Sequence, residues 1–193
     1  MNAAANKGRR TLLLLALVFL GPMGIAMALY YTGFQWRPQG STEHGELYQP
    51  PRPLPELDLQ LLGEGGGNAG LRGKWTFIYA GPGECAAACR EALVEMRQVR
   101  RALGRDMERV QRLYLVTGGE PDLAWLATEH PGLDVAAGGE ATNAVLQAIG
   151  EAPAGSIFLA DPLGNLVMRY PAGTGMKGMH QDLQRLLKIS TIG

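Results

Sequence analysis

The hydrophobic pattern divides the chain into an unbroken apolar run near its start and a later alternation of short apolar segments with amphipathic ones. Thr11 to Tyr31 carries no charge, is rich in Leu, Ala, Val and Ile, and follows the basic residues Lys7, Arg9 and Arg10. At about 1.5 Å per residue such a helix matches a hydrocarbon core of roughly 30 Å. Basic flanks stay in the cytoplasm, so everything after Tyr31 is expected on the far side. A cleaved signal peptide is the alternative, with Leu12 to Leu20 as its apolar stretch and Ala26-Met27-Ala28 as the cleavage site. The apolar run continues past that site to Tyr30, Tyr31, Phe34 and Trp36, a membrane-interface signature that favours an anchor.

From Gln35 to about Pro55 the chain is rich in Pro and Gly and is predicted to be an extended tether. Leu57 to Leu61 alternates like a short edge strand, and Gly63 to Gly70 is predicted as a loop. Strands are then predicted at Trp75 to Ala80, Val110 to Val116, Leu133 to Ala136, Ser156 to Ala160 and Leu166 to Tyr170. Asp161-Pro-Leu-Gly-Asn165 has the residues of a hairpin turn between the last two. Helices are predicted at Ala87 to Leu103, Pro121 to Glu129, Ala141 to Ile149 and Met176 to Leu187. In the first, Leu93, Met96, Val99 and Leu103 make one apolar face opposite Arg90, Glu91, Glu95, Arg97, Arg100 and Arg101. This order predicts a three-layer α/β domain on the thioredoxin plan over residues 57–193, preceded by an anchor over 1–32 and a tether over 33–56.

Composition narrows the chemistry. Lys plus Arg equals Asp plus Glu at 18 each, so no net charge points to nucleic acid. Only two cysteines are present, Cys85 and Cys89, where an apolar strand gives way to a helix. They are too few for a disulfide scaffold and lack the second pair of a structural zinc site.

Both cysteines are expected in the first helical turn, where unpaired N–H groups and the helix dipole favour a thiolate, with pKa values below about 8.5. Four residues apart, they share a face with Cα atoms roughly 6 Å apart, inside the disulfide window. Soft thiolates also select Cu(I). Thiol exchange, copper capture and an inert staple of the first turn are all open to this pair.

Three groups of residues carry a resemblance: Gly73-Lys74-Trp75 leading the strand, the Gly-rich turn into Cys85-Ala-Ala-Ala-Cys89, and Ser156-Ile-Phe-Leu-Ala-Asp161-Pro-Leu-Gly-Asn165. Together with the anchor, they resemble the SCO/SenC proteins, thioredoxin-like factors of copper insertion into cytochrome c oxidase. That implies a single-pass protein of a bacterial inner membrane with its body in the periplasm, copper as Cu(I), and an oxidase subunit or other assembly factors as partners. Cys85 and Cys89 become metal ligands or the redox pair, with Cys85 the expected attacking sulfur.

The chain departs from that family twice: Arg90 stands where a proline follows the second cysteine, and Pro153 stands eight residues before Asp161, at the place of the third copper ligand, a histidine. Pro153 suggests instead a cis-proline opposite the cysteines, as thioredoxin-like folds often have. Met176, Met179 and His180 offer a substitute ligand set, since their spacing places them on one helix face near the cysteine end of the sheet. His44 and His130 are expected to be solvated surface imidazoles. A docking scaffold with a structural disulfide is the alternative to copper carriage or thiol exchange.

Overall fold

The computed structural model describes residues 3–31, 43–63, 67–190 and 192. They fall into two compact units, Met1–Ser41 and Thr42–Gly193. The first holds α1 (Ala3–Tyr31), a helix with Pro22 inside it. Its stretch Arg9–Tyr31, 23 residues, is long and apolar enough to cross a membrane. Phe34 and Trp36, the aromatic residues expected to extend this anchor's interface, lie outside the described residues.

The second unit is built on a six-stranded sheet of β1 (Glu46–Pro53), β4 (Trp75–Gly81), β5 (Val110–Val116), β6 (Asp134–Ala137), β7 (Ile157–Ala160) and β8 (Asn165–Tyr170), in the order β1-β8-β7-β4-β5-β6. Its centre is β4, parallel to β5 and antiparallel to β7. β6 extends the parallel side, and β8 returns antiparallel to β7. The turn between β7 and β8 is set by Asp161, whose carboxylate accepts from the backbone N–H of Leu163 at 3.0 Å and of Asn165 at 2.8 Å.

Strand alternation assigns the two faces, except that the register shift between the last two strands puts Leu166 and Met168, two residues apart, on opposite sides. Phe77, Tyr79, Tyr114, Leu159 and Met168 point to the side covered by α2 (Ala87–Ala102) and α5 (Met176–Ile189). Ile78, Leu113, Leu115, Phe158 and Leu166 point to the other side, covered by α4 (Gly139–Ile149) with Leu54, Leu59 and Leu71. The short α3 (Leu123–Glu129) is capped by Asp122, whose carboxylate accepts from Trp125 N–H at 2.9 Å.

Part of the segment expected to be an extended tether is a strand instead. Glu46–Pro53 forms β1, an edge strand antiparallel to β8. Its prolines fit there because an outer edge needs no N–H donors, and proline also blunts the edge against further pairing. The register shifts between Leu47 and Arg52, around the cis Gln49–Pro50 bond. Leu59–Gln60 is a strand, β2, but it pairs with β3 (Asn68–Ala69) in a separate two-stranded sheet, so the expected loop at 63–70 contains a strand. Residues 32–42 and 64–66 lie outside the described residues.

Candidate functional site: a half-exposed disulfide at the tip of α2

The end of β4 continues its pairing with β5 into the cysteine turn, through Thr117 N–H to Gly81 O at 2.9 Å and Gly83 N–H to Gly118 O at 2.7 Å. Gly83 is required by proximity: a Cβ there would lie 2.7 Å from the Glu120 carbonyl carbon and 2.9 Å from that of Gly119. Both obstacles are backbone, so neither can swing aside. Gly83→Ala is expected to cost about 1–3 kcal/mol by this overlap. An unchanged thermal midpoint of the variant would contradict the close approach.

Cys85 and Cys89 are joined in a disulfide with Cα atoms 5.2 Å apart. Only one of them lies in the helix proper. α2 starts at Ala87 with Ala86 as its cap, so Cys89 is in the first turn, whereas Cys85 precedes the cap. This corrects the expectation that both occupy that turn: the Gly-Pro-Gly segment needs the residues up to Ala86 to turn from strand to helix. Ala86 makes no side-chain cap bond. A Ser or Asp at that position would spend its oxygen on the first-turn N–H groups, which here stay open beside the sulfurs.

The two sulfurs differ in depth. Cys89 is 2 % exposed and belongs to the core under α2, whereas Cys85 is half-buried at the surface. Beneath Cys89 the Tyr114 hydroxyl donates to the Pro82 carbonyl, and its oxygen lies 3.8 Å from Cys89 Sγ. Burial pushes the Tyr114 phenol up to about 12, so it stays a neutral hydrogen-bonding group across the working pH range. Tyr79 stacks obliquely on Tyr114 at 5.5 Å, and burial raises its pKa as well.

Cys85 opens onto a groove of about 520 Å³ between the cysteine turn and α3, walled by Arg90, Glu120, Asp122, Trp125 and Leu126. Arg90 donates from Nε to the Cys85 carbonyl at 3.1 Å and places its guanidinium 5.3 Å over the Trp125 ring. The departure from proline at position 90 thus supplies a cation that ties the turn to the groove wall. Trp125 and Tyr114 were not foreseen as site residues. Tyr114 could have been found from its parity with Val110 in β5; nothing local marks Trp125.

Behind Trp125 stands His130, 2 % exposed, its ring 5.1 Å from the indole and its Nδ1 buried without a partner. It is therefore not the solvated imidazole expected from a helix end. Burial, then the Arg97 and Arg112 charges, lower its pKa from 6.5 to about 4, against a smaller opposite effect of Glu129. Between those two values the unfolded chain takes up a proton that the folded chain refuses, so this residue makes stability fall as pH drops from 6.5 to 4. The loss is expected to reach about 2–3 kcal/mol. Glu95 and Asp134, raised by burial, act in the opposite sense. His130→Leu should accordingly flatten or reverse the acid-side fall in the thermal midpoint; an identical pH profile would contradict the assignment.

The remaining sequence candidates do not join the cysteines. Ala152–Pro153 is not cis; among the described residues the cis bond is Gln49–Pro50. The Pro153 carbonyl accepts from Ser156 N–H at 3.1 Å in a turn, within which Gly155 has φ +82°. Met176, Met179 and His180 do not form a ligand set either. Met179 is fully buried in the core, Met176 is exposed, and the His180 ring contacts the Ala102 carbonyl at 3.3 Å. Ala102 is about 20 Å along α2 from Cys89. His44 is an exposed imidazole, as expected, but it is tied down: its ring Nδ1 and backbone N–H meet the buried Asp182 carboxylate at 3.0 and 2.8 Å. No three His, Cys, Asp or Glu side chains converge for a metal ion among the described residues. The two sulfurs alone do not fit the three-ligand copper site implied by the SCO/SenC resemblance.

The solved structures similar to this chain share its fold. Apo Sco1 from Thermus thermophilus matches with a TM-score of 0.60 at 20% identity, covering 77% of this chain and 99% of that one. Copper-bound yeast Sco1 gives 0.58 at 18%, covering 71% and 96%. The exposed lipoprotein thioredoxin Etrx1 from Streptococcus pneumoniae gives 0.51 at 18%, covering 67% and 99%. The SCO/SenC resemblance read from the sequence thus holds for the fold. No protein of curated function matches. A family model described as the transmembrane-like N-terminal domain matches residues 4–33, and one described as the transmembrane-like, thioredoxin-like C-terminal domain matches residues 75–190. The second match spans more than half of the sequence, and the chain belongs to that transmembrane-like, thioredoxin-like family.

Proposed function

We propose that this chain is a membrane-anchored accessory factor of cytochrome c oxidase biogenesis, with its folded body on the periplasmic side of a bacterial inner membrane, that reduces a disulfide in a copper-site subunit. The observation that carries this reading is the unequal depth of the pair: Cys85 faces a groove and Cys89 is sealed behind it on Tyr114. In the reduced protein, the Cys85 thiolate attacks one sulfur of the target disulfide, and the target's other sulfur leaves as a thiolate. Cys89 then attacks Cys85 Sγ, breaking the mixed disulfide and releasing the second target sulfur. The two protons of the factor's thiols end on the target's, and two electrons have moved. A dithiol carrier upstream must supply them again.

The likeness to Sco1 supports the oxidase context, and the likeness to a lipoprotein thioredoxin supports the exchange chemistry. Carriage of Cu(I) as cargo is less well supported, because Pro153 replaces the expected histidine and no other side chain takes its place among the described residues. A purely structural staple is disfavoured by the open groove at Cys85. The test is a Cu(I) competition titration of the reduced full chain in detergent, beside its reaction with a peptide carrying an oxidised cysteine pair. Weak copper binding with rapid reduction of the peptide is expected. Tight one-to-one copper binding, abolished by Cys85→Ser or Cys89→Ser and unaccompanied by exchange, would contradict the reductase reading.

A further inference from the structure

A second cavity, of about 410 Å³, lies between the C-terminal half of α2 and the end of α3. Arg97, Arg100 and Arg101 from α2 and Arg112 from β5 line it, with Thr128 and Glu129 opposite. Arg112 points to the α2 side of the sheet and is 2 % exposed. One of its terminal nitrogens donates to the Pro131 carbonyl at 2.7 Å, while Nε and the other terminal nitrogen are buried without partners. Arg97 Nε is unpartnered in the same way.

A cation buried in this manner is costly unless its donors are met. The acids nearby do not meet them. Arg97 donates from a terminal nitrogen to the Glu129 carbonyl and Arg100 from Nε to the Val110 carbonyl at 2.7 Å, but the Glu129 and Glu108 carboxylates lie 3.8 and 3.6 Å from these arginines, and Asp134 acts on Arg112 only through its charge. Arg101 is exposed and makes no hydrogen bond or ion pair with the described residues. Burial and the three neighbouring guanidiniums lower Arg112 only to about 10, so it keeps its charge at neutral pH.

We propose that this cavity binds a phosphate-type oxyanion, gripped by the unused donors of Arg112 and Arg97 and by the charge of Arg100 and Arg101. Planar guanidinium forks match tetrahedral oxyanions in pairs of parallel hydrogen bonds, and convergent arginines favour a multiply charged group over a single carboxylate. The site is separate from the disulfide: Arg97 to Arg101 lie about 12–18 Å along α2 from Cys89.

The phosphate group can belong to a free solute or to an anionic lipid headgroup, and one calorimetric experiment separates them. The full chain in a neutral detergent at fixed ionic strength is titrated with pyrophosphate, and separately with short-chain phosphatidylglycerol against phosphatidylcholine. Saturable one-to-one binding is expected, at least about tenfold weaker in Arg101→Glu and in Arg112→Met, since each removes a charge-assisted contact. The tighter of the two ligands identifies the source. Arg101 is on the surface, so its variant reports on binding even if Arg112→Met fails to fold. Absence of saturable binding by both phosphate compounds, or binding that Arg101→Glu leaves unchanged, would overturn the site.

Discussion

Cys89→Ser is expected to accumulate a stable mixed disulfide through Cys85 with an oxidised peptide, whereas Cys85→Ser remains almost inert. The difference follows from depth. In the first variant the half-exposed Cys85 still meets its target at the groove, but no second thiol returns to resolve the product. In the second the surviving sulfur, on a residue 2 % exposed, sits over Tyr114 beneath the cysteine turn. It reacts only when the turn opens. If opening requires even about 3 kcal/mol, capture slows about a hundredfold. Mass spectrometry of the two variants after timed exposure to the peptide reads the contrast directly. Equal trapping by both would remove the assignment of roles.

Asp182→Ala is expected to cost about 3–5 kcal/mol, the largest stability loss among the substitutions considered. Asp182 is 2 % exposed on α5. Its carboxylate accepts from His44 N–H at 2.8 Å and Gly45 N–H at 3.2 Å, and lies 3.0 Å from His44 Nδ1. Removing it takes the acceptor from two part-buried backbone donors at once and unties the exposed His44 ring. It also frees the residues that lead into β1, which otherwise closes the edge of the sheet along β8. Glycine at 178 allows this contact, because a Cβ there would stand 2.8 Å from His44 Cβ. Thermal unfolding of the full chain should show a midpoint lower by about 10 °C, with Asp182→Asn intermediate because one acceptor oxygen survives. A shift below about 2 °C in Asp182→Ala would show that the strap contributes little.

The parts of this fold governed by local periodicity were legible in the sequence. Val110–Val116 is a strand over the predicted residues, and α2 ends within one residue of its predicted limit, because both show one repeating face. β1 was hidden because prolines at 50, 51 and 53 suit a solvent-facing edge as well as a free tether. Its pairing with β8 joins residues more than a hundred positions apart, as does the bond from His44 to Asp182. No local pattern encodes either contact. The cysteine pair was found at once, yet its asymmetry was not, since four-residue spacing puts two sulfurs on one face only if both residues are helical. Arg112 left a trace that could have been used: it has the parity of Val110 and Tyr114, so strand alternation already turned it inward. His130 left none, because its burial comes from packing against Trp125.

The central claim is that the Cys85–Cys89 bond is made to be broken, and its reduction potential tests this most directly. Equilibration of the full chain with defined dithiol and disulfide buffers, followed by alkylation and mass measurement, gives the value. The account predicts a potential between about −270 and −120 mV, the span of thioredoxin-like exchangers. A value below about −300 mV, typical of structural disulfides, would contradict it.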